Sequence, residues 1–394
     1  MDYSSHVSAL LPRDLDRAAV VGRVRVPGEA GARIVTVRDS RFVDLTEQWA
    51  TMADLLDQDA PARAVRESRG GDEWSIDDVV TSTLTGSGPA PSLISPIDLQ
   101  VIKAAGVTFA RSMIERVIEE RAAGDPALAA EVRARIAETI GGAISELIPG
   151  SAEAEEAKRV LIAHGLWSQY LEVGIGPDPE IFTKAPVLSS VGVAADIGVL
   201  SRSEWNNPEP EVVLAVSSSG APVGAALGND VNLRDFEGRS ALLLTEAKDN
   251  NGSCAIGPMM RLFDDDFTLD DVRALDITLR ITGDDGFELH GGSSMAEISR
   301  PIEELIGHAF GPHHQYPDGF VLFTGTLFAP TQDRDAPGLG FTHHNNDVVS
   351  ISTPSLGTLV NRVRPSEELE PWRIGIRAFY RDLAERGLLR GGAR

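Results

Sequence analysis

Cysteine is almost missing from this chain. The single Cys254 cannot close an intrachain disulfide, which suits a reducing compartment. Basic residues are scarce as well: 36 Lys and Arg stand against 59 Asp and Glu, for a formal charge of −23. That balance argues against nucleic acid and anionic membrane as main partners, and means that a small anionic substrate needs a local cation to bind. No segment approaches the ~18 uninterrupted apolar residues of a membrane helix. The opening stretch MDYSSHVSALLPRDLDRAAVVGRV lacks a basic start followed by a long apolar core, so the expected setting is a soluble cytoplasmic protein. Repeats and low-complexity tracts are also absent, and 394 residues suffice for a large core in one to three domains.

What is present changes character along the chain. Residues 18 to 45 alternate short β-branched runs with Gly and Pro turns and predict a small sheet. The polar, Gly/Pro-rich stretch from Arg66 to Pro91 reads as a linker. Residues 109 to 171 carry helical spacing, with Asp125 before Pro126 and Ser151 before Ala152 as N-terminal caps. From Phe182 to Val363 strands and turns dominate again. This order predicts an N-terminal β-rich domain at 1–95 and a catalytic domain at 96–394 with a helical insertion at 109–171.

The stretch PEPEVVLAV, Pro208 to Val216, sets Glu209 and Glu211 one residue apart at the entrance to an apolar run. In a strand both point to one face, where like charges repel unless a cation lies between them. The following SSSGAPVGAALGND predicts a hairpin about Gly220, which returns Asp230 to the two glutamates. Three carboxylate ligands suit Mg²⁺ or Mn²⁺ and leave Ca²⁺ open. The alternative is a pair of solvated acids at a strand edge. Further on, Lys248 lies in the turn-rich TEAKDNNGSCAIGP, and FTGT, Phe323 to Thr326, ends an apolar run with a glycine between two threonines.

This ordered set, E-x-E, N-D, a lysine followed by Gly257-Pro258, TGT, and DVVSISTPSLGTLVNRV from Asp347 to Val363, resembles the fumarylacetoacetate hydrolase superfamily over roughly residues 100 to 363. The resemblance implies an α+β, β-rich fold with a mixed β-roll core, and a divalent cation, Mg²⁺ or Mn²⁺, held by Glu209, Glu211 and Asp230. It also implies a homodimer or homotetramer. Hydrolase-type members carry a segment like N-Y-x-x-H-x-x-E; here TFARSMIE places Ser112 where histidine would stand and keeps Glu115. Serine is a poor general base for water, which speaks against hydrolysis.

The stretch AAGVTFARS is instead similar to the pentonate dehydratases of the superfamily. Asp230 follows Glu209 by 21 residues and Lys248 follows Asp230 by 18, spacings that agree with those enzymes. So does GIGPDPEIFTKAPVLSSVG, which supplies Glu180, Lys184, Ser189 and Ser190. The implied reaction takes a 2-keto-3-deoxy-D-pentonate of the xylonate or arabinonate series to 2,5-dioxopentanoate. Implied proton carriers are Lys248 and Glu180, with the order of their action open: a neighbouring divalent cation would lower the lysine's pKa and suit it as a base, and burial would raise the glutamate's and suit it as an acid. Arg111, Ser112, Lys184, Ser189 and Thr326 are the expected substrate contacts. The rival reading is an acylpyruvate-type carbon–carbon hydrolase on the same three carboxylates.

The pairs His313-His314 and His343-His344 invite zinc, but neighbours in a strand face opposite ways and no cysteine accompanies them. GDDGFELHGGSSM lacks the ligand spacing of a Ca²⁺ loop. It resembles instead a hairpin beside the superfamily's active site, with Ser293 and Ser294 near the substrate.

Overall fold

A computed structural model describes residues 2–7, 9–129, 131–132, 147–163 and 165–389, with the backbone alone for Arg111. The runs 18 to 45 form the strands Val20–Arg25, Ala32–Arg38 and Arg41–Asp44, each paired antiparallel to the next. They do not stand apart from the rest. Val20 and Val21 pair with Arg261 and Met260 of strand Cys254–Leu262, which pairs in turn with Pro222–Asp230. One 11-stranded sheet therefore runs from Glu73–Ser75 at one edge, through these strands, to Pro210–Val216, Phe320–Phe323, Val101–Gly106 and finally Glu180–Ala185. It is mixed: Phe320–Phe323 runs parallel to Val101–Gly106, while the pairs on either side are antiparallel. A second sheet of five strands holds Glu288–Ser294, Asp276–Thr282, Val348–Thr353, Gly357–Pro365 and Asp196–Val199.

Strand Pro210–Val216 is apolar from Val212 onward because both of its faces are covered there. Val212, Leu214 and Val216 share a core with Leu279, Ile351 and Leu359 of the second sheet. Val213 and Ala215 face the other way, among Met52, Leu55, Met260 and Phe323. This is the α+β, β-rich architecture implied by the sequence.

One expectation fails. The stretch from Arg66 to Pro91 is not a linker: it holds strand Glu73–Ser75 and helix Ile76–Thr85. Val79 and Leu84 of that helix are buried against the sheet, so two well-spaced apolar residues outweigh the polar composition around them. The insertion at 109–171 shows helices Ala110–Arg121, Ala152–Ala163 and Gln169–Ile175, and part of it lies outside the described residues. Both expected caps form, with Asp125 Oδ1 accepting from Ala127 N and Ser151 Oγ from Ala154 N. Met113, Val117, Ile118, Leu161, Tyr170 and Ile175 pack these helices into a small core of their own. No helix among the described residues is long and apolar enough to cross a membrane.

Candidate metal centre and active site

The hairpin does what the sequence required of it. Glu211 pairs with Gly228 and Pro210 with Asn229, and Asp230 N donates to Glu209 O at 3.0 Å, so the three acids meet at the open end of the ladder. Each offers an oxygen within 4.8 Å of the others, and all three side chains are buried. No other group of three His, Cys, Asp or Glu converges in this way among the described residues. Glu211 is held from the far side, where Gly325 N donates to Oε2 at 2.7 Å and Thr326 Oγ1 lies 3.4 Å from Oε1. Gly325 has φ +104°, and a Cβ there would meet Thr108 Oγ1 at 1.8 Å. The small residue in FTGT is thus required by both backbone and space.

Four buried cations surround the acids. Lys248 Nζ, at the end of helix Leu244–Lys248, donates to Glu209 Oε2 and lies 3.2 Å from Asp230 Oδ2. Lys184 Nζ stands 2.9 Å from Asp230 Oδ1. That contact is an ion pair without hydrogen-bond alignment, so Oδ1 keeps an open acceptor. Arg116 Nη2 donates to Glu209 Oε1, while its Nη1 reaches Glu119 Oε2 at 2.6 Å and Glu237 Oε2 at 3.1 Å. Arg234 Nε completes the ring, 3.2 Å from Glu119 Oε1.

The charges decide the pKa values. Burial alone would raise Glu209, but Arg116 and Lys248 outweigh it and hold the carboxyl down at about 2. Burial raises Glu211 instead, and the neighbouring charges of Asp230 and Glu209 add to it. Burial works against the charge on Lys248, yet Asp230 and Glu209 leave its pKa raised. Glu180 is pushed up to about 7, first by burial and then by Glu237, with Arg116 and Lys248 opposing.

A divalent cation fits this donor set. Glu119, Glu209, Glu211, Asp230 and Glu237 are buried carboxylates, and Arg116, Lys184, Arg234 and Lys248 are buried cations. One negative charge is left over, and Glu180 adds a second when ionised. Three converging hard oxygens, one with an open acceptor, are the ligands that Mg²⁺ and Mn²⁺ take.

Glu180 opens strand Glu180–Ala185 opposite Gly106. Its carboxylate lies over that glycine, where a Cβ would come within 1.9 Å of Oε2. Gly106→Ala should therefore displace Glu180 and lower turnover by about 10²-fold, the scale of a misplaced reacting group. Steady-state kinetics beside a thermal melt will check it: unchanged turnover in a folded variant would show that Glu180 needs no fixed seat.

The other expected contacts are engaged locally. Ser112 Oγ donates to Phe109 O at 2.9 Å and Ser189 Oγ to Pro186 O at 2.6 Å. Ser190 bonds Ser95 at 2.7 Å, and Ser294 caps the short helix that follows it. Lys184 faces the Asp230 carboxylate and the carbonyls of Val231 and Lys248. The Arg111 side chain lies outside the described residues. His343 serves Asp347, with Nδ1 3.2 Å from Oδ2. Arg116, Glu119, Arg234 and Glu237 went unnoticed in the sequence. Their only signal was charge on the apolar side of a helix: Arg116 and Glu119 alternate with the buried Met113, Val117 and Ile118.

The chain is similar to known proteins in sequence and in fold. Residues 203–364 match the family described as Fumarylacetoacetate (FAA) hydrolase C-terminal. A 2-dehydro-3-deoxy-D-arabinonate dehydratase of Saccharolobus solfataricus is 34% identical over 194 residues, which is 48% of this chain and 60% of that protein. A probable 2-keto-3-deoxyxylonate dehydratase of Haloferax volcanii is 33% identical over 194 residues, 49% of this chain and 63% of that protein. The matched spans thus cover less than two thirds of either relative. Among solved structures, an apo 2-keto-3-deoxy-D-arabinonate dehydratase superposes with a TM-score of 0.62 at 24% identity, covering 88% of this chain and 99% of the other. The same enzyme complexed with magnesium and 2,5-dioxopentanoate gives 0.60 at 23%, with the same coverage. The likeness to the fumarylacetoacetate hydrolase C-terminal family thus lies in residues 203–364, which contain all three carboxylates.

Proposed function

We propose that this protein is a metal-dependent dehydratase that converts a 2-keto-3-deoxy-D-pentonate to 2,5-dioxopentanoate. The observation that carries the reading is the convergence of Glu209, Glu211 and Asp230 with Lys248 and Glu180, in a chain whose relatives are dehydratases of such acids. Mg²⁺, present in the related complex, is the proposed cofactor, with Mn²⁺ an equivalent ligand for the same oxygens. When bound, the cation polarises the 2-oxo group and makes the C3 hydrogens acidic.

The side chains supply the proton traffic. Glu180, with its carboxyl near neutrality, is suited to accept the C3 proton. Lys248, kept charged between Glu209 and Asp230, is suited to protonate the departing C4 hydroxyl. The sequence leaves the order of the two open; this order follows from the carboxylate partners of Lys248 and the burial of Glu180. One water leaves, and a shift of hydrogen from the C5 carbinol onto C3 and C4 turns the allylic alcohol into the aldehyde. Thr326, beside Glu211, and Arg111 are proposed to grip substrate oxygens, Arg111 by its planar fork.

A carbon–carbon hydrolase on the same acids is the second reading. The hydroxyl of Ser112 is committed to Phe109 O, which disfavours it as an activator of water. Mass spectrometry of products separates the two: the purified protein with Mg²⁺ should remove one water from 2-keto-3-deoxy-D-xylonate or its D-arabinonate form and leave an acylpyruvate intact. Pyruvate released from the acylpyruvate, with the sugar acids untouched, would overturn the dehydratase. The proposal extends to a cytoplasmic homodimer or homotetramer with no nucleic acid or membrane partner, and a monomer by light scattering under active conditions would contradict the assembly.

A further inference from the structure

The two oxygens of Glu209 are both taken. Lys248 Nζ donates to Oε2 and Arg116 Nη2 to Oε1. Each oxygen keeps a further lone pair, but a divalent cation on Glu209 would stand against the positive charge of the donor beside it, and the surroundings of the two donors differ. Lys248 has Asp230 as its other carboxylate partner, at 3.2 Å, and Asp230 belongs to the same ligand set. Arg116 has two partners outside that set. Its Nη1 already donates to Glu119 Oε2 at 2.6 Å and lies 3.1 Å from Glu237 Oε2. Glu237 Oε2 is buried and accepts no aligned hydrogen bond, so it offers a second, unfilled acceptor to the same guanidinium. A planar fork with five N–H donors can leave one carboxylate and keep two others.

We infer that Arg116 is an internal stand-in for the divalent cation: it neutralises Glu209 while the metal is away, and turns to Glu119 and Glu237 when the metal binds. The inference rests on the proposed divalent-cation site and deepens it by assigning a positioning residue that sets the site's affinity. Two consequences follow from charge alone. The guanidinium lowers the local negative potential, so it weakens metal binding relative to a site without it. It also pairs a buried carboxylate that would otherwise be uncompensated, so it stabilises the metal-free fold.

The test is isothermal titration of the full-length chelated protein with MgCl₂, alongside thermal unfolding with and without saturating Mg²⁺. Arg116→Gln should bind Mg²⁺ at least about 10-fold more tightly than the wild type, melt lower without metal, and gain more from saturation, as linkage requires. Damage to a merely structural residue would weaken binding, so the direction of the change identifies the role. Arg116→Lys keeps the charge and should bind within a few-fold of the wild type. If Arg116→Gln does not fold, Glu237→Gln serves: it weakens the acceptor to which Arg116 turns and should loosen Mg²⁺ binding by about 10-fold. Wild-type binding with unchanged or weaker affinity in Arg116→Gln would overturn the stand-in role alone, as would unchanged affinity in Glu237→Gln. Absence of Mg²⁺ binding in the wild type would overturn the metal site and this inference together.

Discussion

Glu209→Gln should lose activity by on the order of 10³-fold or more, the scale on which a closed site loses preorganised electrostatic stabilisation. The glutamine keeps the shape of the side chain but cannot give Arg116 and Lys248 their counter-charge. The protein should also melt lower in the absence of metal. Breaking a buried ion pair from one side costs about 3–5 kcal/mol, and the low end applies because Arg116 retains Glu119 and Glu237 while Lys248 retains Asp230. Asp230→Asn should act similarly on turnover and metal binding, leaving Lys184 facing a neutral amide. The decisive measurement is activity after chelation and readdition of Mg²⁺, for wild type and both variants. Full wild-type turnover after exhaustive chelation, or a normally active Glu209→Gln, would remove the three carboxylates from the mechanism.

The second large effect belongs to Glu180. As the proposed base it must be ionised, and this carboxyl is raised to about 7, so turnover of the wild type should climb as pH rises through that region and level off above it. Glu180→Gln should lose about 10²- to 10⁴-fold in kcat, the usual contribution of a positioned acid–base group, and its residual rate should show no limb there. Stability gives an independent readout of the same proton. Because the folded carboxyl sits above its ordinary value of 4.5, the protonated form favours folding. That contribution is fully present below the unfolded value and is lost as pH rises toward about 7. The glutamine variant, which has nothing to ionise, should therefore gain stability relative to wild type between pH 5 and pH 8. An unchanged pH–rate profile in an active variant would make Glu180 structural.

The meeting of the three carboxylates was legible because its cause is local. The strand–turn–strand pattern fixes which residues face each other, so two glutamates before one strand and an aspartate after the next must meet. Nothing about distant folding was needed beyond the family likeness that joined Lys248 and Thr326 to them. The charge ring was hidden for the opposite reason. Arg116 gave only a charge on an apolar helix face, Arg234 and Glu237 sit in a helix too short to show a period, and what buries all three is the docking of helices from residues 110–121 and 234–237, a tertiary event. Lys184 was noticed, but its partner was not. Strand Glu180–Ala185 brings it to Asp230 from 46 residues away in the chain, and no spacing rule announces that ion pair. The stretch 66–91 was misread because composition averages over ten residues, whereas a helix needs only one apolar stripe to dock.

The pairing of Val20 and Val21 with Met260 and Arg261 has a bearing on how the protein can be cut or handled. Strand Cys254–Leu262 is buried along its whole length, and the first strand covers part of its flank. A chain shortened to remove residues 1–95 would bare that flank as an unprotected apolar sheet edge, a template for other strands. Such a fragment should precipitate or pair with its own kind rather than yield a smaller soluble enzyme, although it would retain all the proposed ligands and proton carriers.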